Sequence, residues 1–147
     1  MAIDLTPRWD NFAVYLPAMQ YPYASAVENK KMLGKREFPN GITLKDLDFL
    51  YPKSKLWHYG YALYSAGQFT DARPKACVVT NRDREKTIVL GDSGGFQILK
   101  CQWPADWKDP NCPRAMKKRK QVLTWMDTYM DYGMCLDIPS QSLTTFN

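Results

Sequence analysis

The chemistry-bearing residues of this chain gather in two places. One is the run Asp92-Ser93-Gly94-Gly95-Phe96-Gln97 and the other is Asp137. A carboxylate accepts two hydrogen bonds from adjacent N–H donors, such as those on a purine edge. A second carboxylate on the same rim can then manage a proton. The Gly94-Gly95 pair permits backbone conformations and close approaches that a β-carbon would obstruct, and the Phe96 ring offers a flat face for stacking.

These residues need elements to hold them. Thr87, Ile88, Val89 and Leu90 form an unbroken, β-branched run, the pattern of a strand buried on both faces. From Arg114 to Tyr132 the chain reads as a helix, with Val122, Trp125, Met126 and Tyr129 as its apolar stripe and Gly133 as its stop. Met134-Cys135-Leu136 then reads as a short strand ending at Asp137, with Pro139 blocking its continuation. A strand–helix–strand unit makes its strands parallel, which puts Asp92 and Asp137 on one sheet edge. Folds of the α/β class place their ligands at that edge.

The hexapeptide Asp92 to Gln97 resembles the substrate-binding signature of the tRNA-guanine transglycosylases and their DNA-modifying relatives, a TIM-barrel family. The resemblance is strongest from about Thr87 to Ser140. It implies that Asp92 works beside the glycosidic bond and that Ser93, with Gly94 and Gly95, holds the base. By the same analogy Phe96 stacks on the base, Gln97 supports the pocket and Asp137 reads the purine edge. Asp137 is followed by Ile138-Pro139-Ser140, where bacterial tRNA enzymes commonly carry an acid and a cysteine. That ending and the aromatic-rich upstream part look more like the DNA-modifying relatives of phages and some bacteria. The family's aspartate nucleophile and its zinc site of three cysteines and a histidine lie downstream of the region matched. The resemblance therefore implies no cofactor and no metal within this chain, and zinc only in a missing C-terminal part.

A complete eightfold barrel typically needs ~250 residues, and this chain has 147. The expected fold is α/β, TIM-barrel-like and partial: residues 1–147 as a single domain forming the N-terminal half of a (β/α)8 barrel. The expected function is base exchange by a fragment or split subunit, replacing guanine in DNA or tRNA with a 7-deazaguanine derivative. A second chain or a missing C-terminal half would supply the nucleophile. Two alternatives stand beside it. One is a non-catalytic nucleic-acid-binding or assembly subunit of the same fold. The other is a serine protease, because Gly91-Asp92-Ser93-Gly94-Gly95 also matches the nucleophile segment of chymotrypsin-like enzymes and His58, Asp71 and Ser93 occur in their order.

The net charge of +5 suits an anionic partner. Lys117-Lys118-Arg119-Lys120 reads either as a phosphate-contacting patch or as a solvated helical face. No apolar stretch is long enough for a membrane span and no secretory leader is evident, so a cytoplasmic protein is expected. Cys77, Cys101, Cys112 and Cys135 are widely spaced and read as reduced, partly buried thiols.

Further elements are expected in the first half. Phe12 to Leu16 reads as a strand, Ser25 to Lys35 as a helix capped by Ser25, and 44 to 51 as a short helix behind Thr43. Ala76 to Thr80 reads as another strand. The aromatic stretch Leu56 to Tyr64 suits a core or a stacking surface. Gln102 to Pro113 reads as a lid or interaction loop.

Overall fold

The structure, a computed structural model, describes residues 13–28, 38–68 and 77–140. Its strands are β1 (Ala18–Met19), β2 (Tyr61–Ser65), β3 (Ile88–Asp92) and β4 (Tyr132–Gly133). Its helices are α1 (Tyr21–Ala26), α2 (Gly95–Leu99) and α3 (Pro113–Tyr129). The architecture is mixed α/β, with one sheet in the order β1-β2-β3-β4. The β1–β2 and β3–β4 pairs are both parallel. The described residues form no barrel. They divide into two compact units, one holding 13–28, 38–64 and 77–89, the other 65–68 and 90–140.

In the first unit, sheet pairing starts after Pro17 rather than before it. Ala18 and Met19 pair with Leu63 and Tyr64, and Leu63 N–H donates to the Pro17 carbonyl at 3.0 Å. Proline lacks a donor but keeps its acceptor, so it can precede a paired residue. Residues 13–16 are not a strand, and Phe12 lies outside the described residues. Ser25 does not cap a helix. It sits inside α1, where its hydroxyl donates to the Tyr21 carbonyl, because Pro22 starts the helix one turn earlier. Residues 29–37 lie outside the described residues.

Thr43 does start the next helical turn, as expected, although only Leu44–Leu47 form it and the turn is 3-10. Its N–H and hydroxyl both donate to Asp46 Oδ2, at 2.8 and 2.6 Å. Asp46 Oδ1 accepts Lys55 N–H. These donors, the Thr43 hydroxyl foremost, hold the Asp46 carboxyl down at about 2.

Residues 77–80 turn instead of forming a strand. Thr80 N–H and Asn81 N–H both donate to the Cys77 carbonyl, and the Thr80 hydroxyl accepts Cys77 N–H. A hydroxyl placed to bond nearby backbone competes with strand pairing; Cys77, Val78 and Val79 are buried all the same. The aromatic stretch forms a ladder of rings. Phe49, Trp57, Tyr59 and Tyr61 follow one another at centroid separations of 5.4, 5.7 and 5.4 Å.

In the second unit, α3 ends at Tyr129, three residues short of the expected limit. Met130 is already extended, because Tyr132 and Gly133 are drawn into pairing with Leu90 and Gly91. The strand expected at Met134–Leu136 is thus displaced to Tyr132–Gly133, and Asp137 lies beyond the strand rather than at its end. Ala115, Val122, Trp125 and Met126 are the buried face of α3. No disulfide forms; Cys77 is buried, while Cys101 and Cys135 are exposed. Among the described residues no helix is long and apolar enough to cross a membrane.

Candidate functional site

Strand β3 alternates in burial, with Val89 and Gly91 buried and Ile88, Leu90 and Asp92 only half-buried. A strand buried on both faces was expected; one face is partly open instead. The buried face carries α3, since a β-carbon on Gly91 would come within 3.3 Å of the Met126 side chain, and within 2.7 Å of Met130 just past the helix. Strand side chains point alternately to opposite faces. Asp92 therefore leaves β3 on the face away from α3.

Past Asp92 the backbone turns through Gly94, whose φ of +84° is a left-handed conformation that favours glycine. Gly94 is also enclosed: a β-carbon there would come within 2.8 Å of the Trp103 ring and the Gly67 backbone. Gly67 in turn lies against the Gln97 side chain, and the turn Ala66–Gln68 packs on both α2 and α3. Gln97 thus braces the glycine turn from behind.

The second acid comes to this turn through the backbone. Asp137 N–H donates to Ser93 Oγ at 3.1 Å, and Ser93 is 1% exposed. A β-carbon on Gly95 would sit 2.5 Å from the Asp137 carbonyl oxygen. The structure therefore brings Ser93, Gly94, Gly95 and Asp137 together, with Asp92 the next residue along. Asp137 itself is exposed. Phe96 is 59% exposed, with Lys100 Nζ 5.5 Å from its ring centroid.

Four residues take roles here that sequence reasoning did not assign: Gly67, Trp103, Trp107 and Lys100. The loop Gln102 to Pro113 is an inner support rather than a lid. Trp103 and Trp107 are buried, and Trp107 Nε1 donates to the Trp103 carbonyl. Proline and tryptophan in one loop were the available signal for a packed segment.

The basic run separates into two pairs. Lys118 Nζ lies 4.7 Å from the Trp103 ring centroid, and Arg119 lies 5.6 Å from that of Trp107 while donating to the Pro110 carbonyl. These two fasten the loop to α3. Lys117 and Lys120 are exposed.

The surroundings of Ser93 do not support the protease reading. The Ser93 hydroxyl is buried and accepts the Asp137 amide, and both described strand pairings are parallel, unlike those of a double β-barrel. His58 is exposed, with Nδ1 3.1 Å from the Phe49 carbonyl, and Asp71 lies outside the described residues. Among the described residues no group of three or more histidines, cysteines and acids is placed to hold a metal.

Among the described residues β4 pairs with β3 alone. Tyr132 and Met134 are exposed beside β4, and Leu123 of α3 is 66% exposed. A groove of about 360 Å³ runs between them, lined by Met126, Met130 and Met134 among others. No family model matches this chain, and no curated protein or solved structure matches it.

Proposed function

We propose that the second unit is the base-binding part of a guanine-exchange transglycosylase acting on DNA or tRNA, with a 7-deazaguanine as the incoming base. The observation that carries this reading is the Asp137 backbone seated on Ser93 and Gly95, which joins the hexapeptide and the second acid in one site. In the exchange, the bond between sugar C1′ and N9 of guanine breaks as a carboxylate oxygen bonds C1′, and the departing base gains a proton. N9 of the incoming base then displaces that carboxylate and loses its own proton, so no oxidant or reductant enters. Asp92 manages the proton at the glycosidic bond, Asp137 accepts the N–H donors of the purine edge, and Phe96 stacks on the ring. Lys117 and Lys120 are available to phosphates.

The nucleophile belongs to polypeptide outside this chain, which completes the TIM-like barrel. The outer edge of β4, unpaired among the described residues, and the methionine-rich groove beside it support that reading, because an unpaired edge with apolar surface is a site for adding a strand. The test is titration of the isolated chain with guanine and with a 7-deazaguanine, followed by amide NMR, alongside an assay for labelled guanine incorporation. Saturable shifts at residues 92–97 and 137, abolished by Asp137→Ala, with no incorporation by the chain alone, are expected. Absence of base binding overturns the site. Robust incorporation by the isolated chain overturns the split.

A further inference from the structure

The first unit holds a cavity of about 260 Å³ whose walls come from two segments distant in sequence, Lys45 to Lys53 and Asn81 to Lys86. Four cations line it, Lys45, Lys53, Arg82 and Lys86, against two carboxylates, Asp48 and Asp83. Lys45 is held on both sides, by Glu28 at 2.7 Å and by the buried Asp48 at 2.8 Å. Arg82 is 8% exposed and fixed in the wall, its Nη1 donating to the carbonyl and hydroxyl of Thr87 at 3.1 and 3.0 Å. Lys86 is held loosely, 3.6 Å from Asp83 and 58% exposed, and no ion pair to Lys53 forms among the described residues. The cavity thus combines two anchored cations with two that are free to turn inward.

We propose that this cavity binds a phosphate monoester or inorganic phosphate. The lining carries four cations against two carboxylates, and with Glu28 on Lys45 one positive charge remains in excess, concentrated on Lys53 and Lys86, the two ammonium groups without a close ion pair, as suits an oxyanion such as a phosphate. Its volume falls below the roughly 300–1,000 Å³ of sites for drug-sized ligands, as suits a phosphoryl head group. Lys53 and Lys86 close on the ligand with charge-assisted contacts, the kind that bind oxyanions best, while Arg82 and Lys45 contribute fixed positive charge in the wall. The site is independent of the base-binding reading, because all of its residues belong to the other unit.

The test titrates the full chain separately with inorganic phosphate, a nucleoside 5′-monophosphate and an oligonucleotide lacking terminal phosphates, followed by amide NMR. Saturable shifts at residues 50–53 and 81–86 are expected with the first two. Tighter binding of the nucleoside monophosphate identifies a nucleotide, and equal binding identifies free phosphate. Lys53→Ala and Lys86→Ala each weaken binding by about tenfold. Binding also weakens as pH falls through about 6, where the second phosphate proton returns. The proposal is overturned by absence of saturable shifts, by equal shifts from chloride at matched ionic strength, by variants that bind as wild type, or by tightest binding of the oligonucleotide.

Discussion

Replacing Gly95 by alanine opposes two effects whose sizes can be compared. Gly95 is the first residue of α2, and alanine is better than glycine in a helix by about 1 kcal/mol. Against that, the new β-carbon would stand 2.5 Å from the Asp137 carbonyl oxygen and 3.3 Å from its carbon. Those are backbone atoms, which cannot swing aside as a side chain can. Moving Asp137 away sacrifices its N–H bond to the buried Ser93 hydroxyl, worth about 1–3 kcal/mol. Leaving it in place costs a similar ~1–3 kcal/mol of overpacking. The clash wins, with a net loss of about 1 kcal/mol, or roughly 2–4 °C in Tm for a chain of this size. Thermal melting by circular dichroism measures the loss, and the Asp137 amide resonance reports the displacement. Ser93→Ala removes the same bond without crowding, so the double variant should lose less than the sum of the two single losses. A Gly95→Ala protein that melts at or above wild type with the Asp137 amide unmoved would refute this reasoning.

Acid sensitivity should follow Asp46. Its folded carboxyl is depressed to about 2, below the ~3.9 of an unfolded aspartate, so its stabilisation is present above that value and lost as pH falls from about 4 towards 2. Denaturant titrations of Asp46→Asn across this range should show a flatter pH profile; an unchanged profile would assign the acid loss elsewhere. In the basic run, Lys117→Ala and Lys120→Ala should leave stability within about 0.5 kcal/mol of wild type yet weaken oligonucleotide binding and flatten its salt dependence. Lys118→Ala should instead lower stability by about 0.5–1 kcal/mol through the Trp103 contact, as read by urea melts.

Local signals were read well where one residue decides the backbone. The β-branched run before Gly91, the turn at Gly94 and the Thr43 start all follow from side-chain shape and hydrogen-bonding capacity within a few residues. The misreadings have a common cause in competition between partners. Thr80 bonds its neighbours rather than a strand, and Pro22 starts α1 before Ser25 can cap it. The end of α3 is settled by β3, which claims Tyr132 and Gly133. At the site, the parallel pairing of β3 and β4 sends both segments onward from the same end of the sheet, so the Asp137 backbone reaches Ser93, although Asp137 lies beyond the strand that it was expected to end. That Ser93 would take the Asp137 amide, or that Gly67 and Trp103 would enclose Gly94, depends on packing between segments far apart in sequence.

Between Gly133 and Pro139 the backbone is tied at two points, Met134 N–H to the Gly91 carbonyl and Asp137 N–H to the Ser93 hydroxyl. The carboxylate is thus indexed by its own main chain, and of residues 134–136 Met134 and Cys135 are exposed and Leu136 is half-buried. Exchanging those three residues for others that keep the chain extended should leave the acid where it stands. The outer flank of β4 could be re-tailored for a new neighbour without retuning the site.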